Sequence, residues 1–201
     1  GKQLAYRSGP QQIQAVAAMS GKSTGSFQAS EGPIVDLVWA PNDNRIVTSS
    51  YTSVVKLWDP ETGTEQLTLS RGGGSPLWAL SWSPDGKFIL ATGKSLRLDL
   101  WHVENNERAF SHQDEGNRAF FVKHAWHPDG TQFATACSDN TIRLWDVARG
   151  EISKTLVGHT GEVRSVAWHP DGTRLASCSA DRTIKIWSVE SGEVALTLRG
   201  H

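Results

Sequence analysis

The chain has 201 residues, with 20 Lys and Arg against 21 Asp and Glu and a net charge of −1. That balance excludes the basic footprint of a dedicated nucleic-acid binder, and no apolar run is long enough for a membrane-spanning helix. Two cysteines, Cys137 and Cys178, exclude a disulfide framework and point to a reducing compartment, the cytoplasm.

The unusual count is nine Trp against two Tyr and six Phe. Trp39, Trp82, Trp126 and Trp168 are spaced by 43, 44 and 42 residues, and Trp58, Trp101, Trp145 and Trp187 by the same three gaps. Two interleaved series with one period define an internal repeat. Trp78 alone lies outside it.

In chain order, 1–33 is a decayed copy. Aligning Ile13 with Ile184 sets Leu4-Ala5 on Leu175-Ala176, Ser20-Gly21 on Ser191-Gly192 and Phe27 on Leu198. The first strand of this copy is missing. Four full copies follow over 34–76, 77–119, 120–162 and 163–201. They align without gaps from the first Trp to the second, with Pro41, Pro84, Pro128 and Pro170 in the intervening turn. The last copy shows the elements best. Residues 162–168, 173–179, 182–188 and 194–198 are apolar and β-branched, and turn residues separate them. No segment has helical periodicity. The expectation is an all-β chain of four-stranded antiparallel units, about 4.7 repeats long.

Gly158-His159, Asp139 with Trp145-Asp146, Asp181 with Trp187, and Trp58-Asp59 make the whole chain resemble the WD40 repeat family. The resemblance implies a β-propeller, typically of seven blades, of which this chain supplies a part. It also implies a structural tetrad of His, Ser/Thr, Asp and Trp in each blade. Only the last copy is complete, with His159, Ser177, Asp181 and Trp187. The fourth has Thr135, Asp139 and Trp145, with Asn117 at the His place. The second has Thr48 and Trp58, with Ser30 and Thr52 replacing His and Asp. The third keeps Trp101 alone, beside Ala91 and Ser95. The first has Tyr6, Pro10 and Val16.

Several motifs imitate other chemistry. Gly21-Lys22-Ser23-Thr24 resembles the end of a phosphate loop, but Val16 stands where the motif needs Gly and no helix follows. Within the repeat it is a strand-to-strand turn, which also answers its likeness to a nucleophile elbow. His124 and His127 have ligand spacing only on a helix. Gly72-Gly73-Gly74 is an inter-blade loop. No metal, cofactor or catalytic residue is expected.

The resemblance places partner binding on the rim shared by the loop entering each first strand and the loop between second and third strands. The rim residues are Pro33, Val35 and Tyr51; Pro76, Trp78 and Lys94; Phe120, Val122 and Ser138; Glu162, Arg164 and Ala180. Aromatics and Arg are the residue types that anchor protein interfaces. The expected function is a non-enzymatic scaffold for proteins or peptides, without nucleic acid or membrane. The alternative is a regulatory region attached to a kinase or NTPase domain outside this segment. Open strand edges on a partial ring also predict self-association.

Overall fold

A computed structural model describes residues 3–30, 32–70, 77–93, 96–113 and 119–200, without the side chains of Ser70 and Trp78. Every regular element among these residues is a β-strand. The first sheet has three: β1 (Gln3–Arg7), β2 (Gln12–Ala17) and β3 (Ser23–Gln28). The second has β4 (Ile34–Trp39), β5 (Ile46–Ser50), β6 (Val54–Trp58) and β7 (Glu65–Ser70). The third has β8 (Leu77–Trp82), β9 (Phe88–Gly93), β10 (Arg97–His102) and β11 (Glu107–Gln113). The fourth has β12 (Phe121–Trp126), β13 (Gln132–Cys137), β14 (Thr141–Asp146) and β15 (Glu151–Val157). The fifth has β16 (Val163–Trp168), β17 (Arg174–Ser179), β18 (Thr183–Ser188) and β19 (Val194–Arg199).

Each sheet is an antiparallel meander in sequence order. Its first strand packs on the first strand of the next sheet, from β4 to β8 to β12 to β16. The sheets therefore stack face to face along an arc, as propeller blades do. Stacking explains the burial. β9, β10, β13 and β14 are almost continuously buried, because both faces are covered. In the end sheets β2 and β17 alternate instead, and Leu4, Tyr6, Leu196 and Leu198 stand exposed.

Two devices hold neighbouring sheets in register. Near the inner strands, the Trp168 indole donates to the Ala125 carbonyl at 3.0 Å and the Trp126 indole to Ser81 Oγ at 2.9 Å. Asp36 Oδ2 accepts from the Leu80 N–H of the next sheet at 2.8 Å. At the outer edge, a fourth-strand side chain fits under the next sheet's last turn. Phe110 lies against Gly150, where a Cβ would approach its ring to 3.1 Å. Gly150 also has φ +67, a left-handed conformation that glycine adopts without penalty.

Candidate functional site

The tetrad register is occupied differently in each sheet. In the fifth, the Trp187 indole donates to Ser177 Oγ at 2.7 Å, and Ser177 Oγ lies 2.8 Å from His159 Nε2. His159 Nδ1 lies 2.8 Å from Asp181 Oδ2. The carboxylate can only accept, so Nδ1 carries the proton and Nε2 accepts from Ser177. Burial pulls the Asp181 pKa up. Hydrogen bonds from Thr183, His159 and the Thr160 N–H outweigh it and hold the carboxyl below the usual range. Gly158 leaves room for the ring, since a Cβ there would lie 3.1 Å from Trp187. The chain of bonds is closed and buried, and it ties the loop before β16 to the β17–β18 loop.

The fourth sheet solves the same problem without that histidine. The Trp145 indole donates to Thr135 Oγ1 at 3.0 Å, and Asp139 accepts from Thr141. The free side of the carboxylate is taken by Arg143 Nη2 at 2.7 Å. Arg143 is 5% exposed, and its guanidinium lies 5.7 Å from the Phe121 ring centroid. Asn117, the residue at the His register, lies outside the described residues.

Sequence reasoning passed over Arg143, although a signal exists. One polar residue interrupts each apolar third strand two places before the second-series Trp: Lys56, Asp99, Arg143 and Lys185. Strand pairing puts them opposite Thr48, Ala91, Thr135 and Ser177, at the tetrad. Asp99 is fully buried, 3.0 Å from Arg97 Nε and 3.8 Å from Arg108 Nη1. Trp101, beside it, is buried opposite Ile89. Ser95 is outside the described residues. In the first sheet the Tyr6 hydroxyl instead bonds Gln14 at 2.8 Å. In the second, the Trp58 indole donates to Thr48 Oγ1 at 3.0 Å, while Ser50 and Thr52 pair at 2.6 Å. There a cavity of about 210 Å³ opens.

The rim residues come together in pairs. Tyr51 N–H donates to the Pro33 carbonyl, Ser138 N–H to the Phe120 carbonyl and Ala180 N–H to the Glu162 carbonyl, at 3.1, 3.1 and 2.8 Å. The third residue of each set is a bulge. The pairing steps from Ile34 to Asp36, Leu77 to Ala79, Phe121 to Lys123 and Val163 to Ser165. Val35, Trp78, Val122 and Arg164 are the extra residues. A bulge bends the strand and re-aims its side chain. The sequence pattern gives no sign of it. Exposure divides the set. Pro33, Tyr51, Arg164 and Ala180 are exposed, but Val35, Phe120, Val122, Ser138 and Glu162 are half-buried. Pro76 and Lys94 lie outside the described residues, as does the Trp78 side chain.

The imitating motifs go elsewhere. Gly21 sits in the β2–β3 turn with φ +66, its N–H bonded to the Ala17 carbonyl. His124 bonds Thr92 at 3.2 Å, whereas His127 bonds Asp129 and the Gly172 carbonyl. Among the described residues no three His, Cys, Asp or Glu are grouped to hold a metal. Cys137 is buried, which pushes its thiol up to about 11, and both cysteines are free.

Face-stacked antiparallel meanders, four of them four-stranded and three of these carrying an internal Trp-centred bond, define a β-propeller repeat protein. The profile of the family described as "WD domain, G-beta repeat" matches residues 21–59, 63–102, 112–146 and 150–188. The chain belongs to the WD40 family. Each match ends with the third strand of a sheet, so the sequence repeat is offset from the structural blade.

The chain is 30% identical over 162 residues to "Ribosome assembly protein 4" of Chaetomium thermophilum, covering 77% of this chain and 30% of that one. It is 31% identical over 186 residues to "Actin-interacting protein 1" of Drosophila melanogaster, covering 70% and 31%. It is 29% identical over 146 residues to "Cell division cycle 20.1, cofactor of APC complex" of Arabidopsis thaliana, covering 68% and 31%. The chain spans about a third of the length of these relatives.

Proposed function

We propose that this chain is a non-enzymatic interaction platform that binds protein segments across its rim. The repeated bulge carries the reading. Four times the backbone makes the same bulge beside the rim loops, and the extra residue is of three kinds: Val35 and Val122, Trp78, and Arg164. A uniform frame with unlike side chains is what recognition of an irregular partner surface requires, and aromatics with Arg supply anchors. The relatives' names, a ribosome assembly protein, an actin-interacting protein and a cofactor of a complex, support the same reading. Enzymatic chemistry would need convergent acids, bases or ligands, and the carboxylates of Asp181 and Asp139 are tied into loop-holding bonds. The cytoplasm suits two cysteines that remain free.

The test is selection of binders from a displayed peptide library, followed by Trp78→Ala, Phe120→Ala and Arg164→Ala. Loss of more than ~1 kcal/mol in binding with an unchanged melt is expected of interface anchors. Binders indifferent to all three, or variants whose main effect is unfolding, would refute the rim.

A further inference from the structure

The cavity in the second sheet lies where the fifth sheet holds an imidazole ring. Ser30, Thr48, Ser50, Thr52, Lys56 and Thr68 line about 210 Å³. Ser30 and Thr52 stand at the registers of His159 and Asp181, and both are too short to fill that space. The chemistry left behind is specific. Thr48 is 2% exposed and accepts the Trp58 N–H at 3.0 Å. Its own hydroxyl proton meets no acceptor among the described residues. In the fifth sheet the equivalent hydroxyl, Ser177, donates that proton to His159 Nε2 at 2.8 Å. A buried donor without an acceptor costs free energy that a ligand lone pair recovers. Ser50 and Thr52, 2.6 Å apart, share one hydrogen and keep a second to donate.

The charge of the ligand follows from the lining. Lys56 is the one charged member among the described residues, and Glu65 neutralises it at 2.8 Å. Among the described residues no carboxylate lines the space. A cation finds no counter-charge, and an anion finds a cation already engaged. The fitting ligand is neutral, ring-sized and carries a lone pair in its plane. The mouth adjoins the rim, because Tyr51, 56% exposed, precedes Thr52 and bonds Pro33 through its backbone.

We propose that the second sheet is a receptor for a neutral imidazole ring, presented by a histidine side chain of a bound peptide. The ring would complete in trans the set that His159 completes within the chain. The source of the ring rests on the rim-binding reading; the ring site itself does not.

The experiment follows the Trp58 indole N–H resonance of the whole 15N-labelled chain during titration with imidazole at about pH 8, where the probe is neutral. A saturable shift is expected. Thr48→Val should weaken it at least tenfold. So should Ser30→His with Thr52→Asp, which fills the cavity and leaves the Trp58 acceptor in place. N-acetylhistidinamide should reproduce the shift. No saturation, undiminished affinity in the filled variant, or displacement of imidazole by lower concentrations of inorganic phosphate would each overturn the site. Binding of imidazole but not of N-acetylhistidinamide would overturn the peptide source. If imidazole titrates while rim substitutions leave peptide binding untouched, the rim reading falls and the ring site stands.

Discussion

His124 offers a direct measurement of how inter-sheet packing is loaded. Its register is that of Leu80 and Val166, apolar residues that face the preceding sheet, and its Nδ1 bonds Thr92 of that sheet at 3.2 Å. Burial, with Lys123 adding repulsion, lowers its pKa from 6.5 to about 3. The folded chain keeps the ring neutral across that interval, whereas the unfolded chain protonates it. The unfolded state therefore binds the extra proton, and stability falls as pH drops below 6.5. Each further tenfold rise in proton concentration costs about 1.4 kcal/mol, so the penalty is ~1.4 kcal/mol near pH 5.5 and ~2.7 kcal/mol near pH 4.5. The residue as a whole is half-buried, and solvent nearby screens the charge, so these figures are ceilings.

The perturbation is His124→Leu, assayed by urea titration at several pH values. Removing the partner of the buried Thr92 hydroxyl costs ~1–3 kcal/mol at every pH. The titration appears separately, as a difference between wild type and variant that moves toward the variant on acidification. Other carboxylates and histidines titrate in both proteins and cancel. A difference that stays constant between about pH 7.5 and 5 would refute the buried neutral imidazole.

Trp187→Phe should cost ~1–3 kcal/mol in denaturant titrations, by depriving Ser177 of a donor in a buried chain, and Trp101→Phe should cost less, because Ala91 stands at the hydroxyl place; equal losses would refute the network. Arg143→Met strands the Asp139 carboxylate and should destabilise by ~1–3 kcal/mol, with Asp139→Asn added on top recovering part of the loss. Strict additivity in that cycle would show that the guanidinium is not the tetrad's substitute. Gly150→Ala forces a left-handed backbone on an L-residue and drives a methyl at Phe110, so a loss of ~1–3 kcal/mol is expected, and an unchanged thermal midpoint would remove the outer-edge contact from the account.

The period, the turns and the strand faces are legible in the sequence because the copies align without gaps over the strands that carry both Trp series. Ile13 and Ile184 show how far this reaches. Their alignment across a decayed copy becomes matching pairs in the structure, Ile13 with Phe27 and Ile184 with Leu198. The bulges at Val35, Trp78, Val122 and Arg164 leave no such trace. A bulge is a mismatch between two strands, and a linear pattern records each strand alone. Arg143 escaped for a related reason. Its role depends on folding back four residues to Asp139 in the loop that enters its own strand, and a lone Arg in a third strand is otherwise a solvated one.

The same reasoning separates framework from recognition within one register. The fifth sheet completes its tetrad with His159, and the fourth closes on Arg143. The third buries Asp99 between two arginines. In the fifth and fourth sheets the buried carboxylate is hydrogen-bonded within the blade, which stabilises the loops it joins. The second sheet differs in kind. Ser30 and Thr52 remove bulk and charge together while Thr48 and Trp58 keep the bond that makes an outside acceptor favourable. The Thr48 hydroxyl is held in place by the Trp58 N–H it accepts, and its own proton is left facing the open space. That hydroxyl beside an open space, with Thr52 of its lining next to the exposed Tyr51 in sequence, is the basis of the proposal that partner chemistry enters at the second blade.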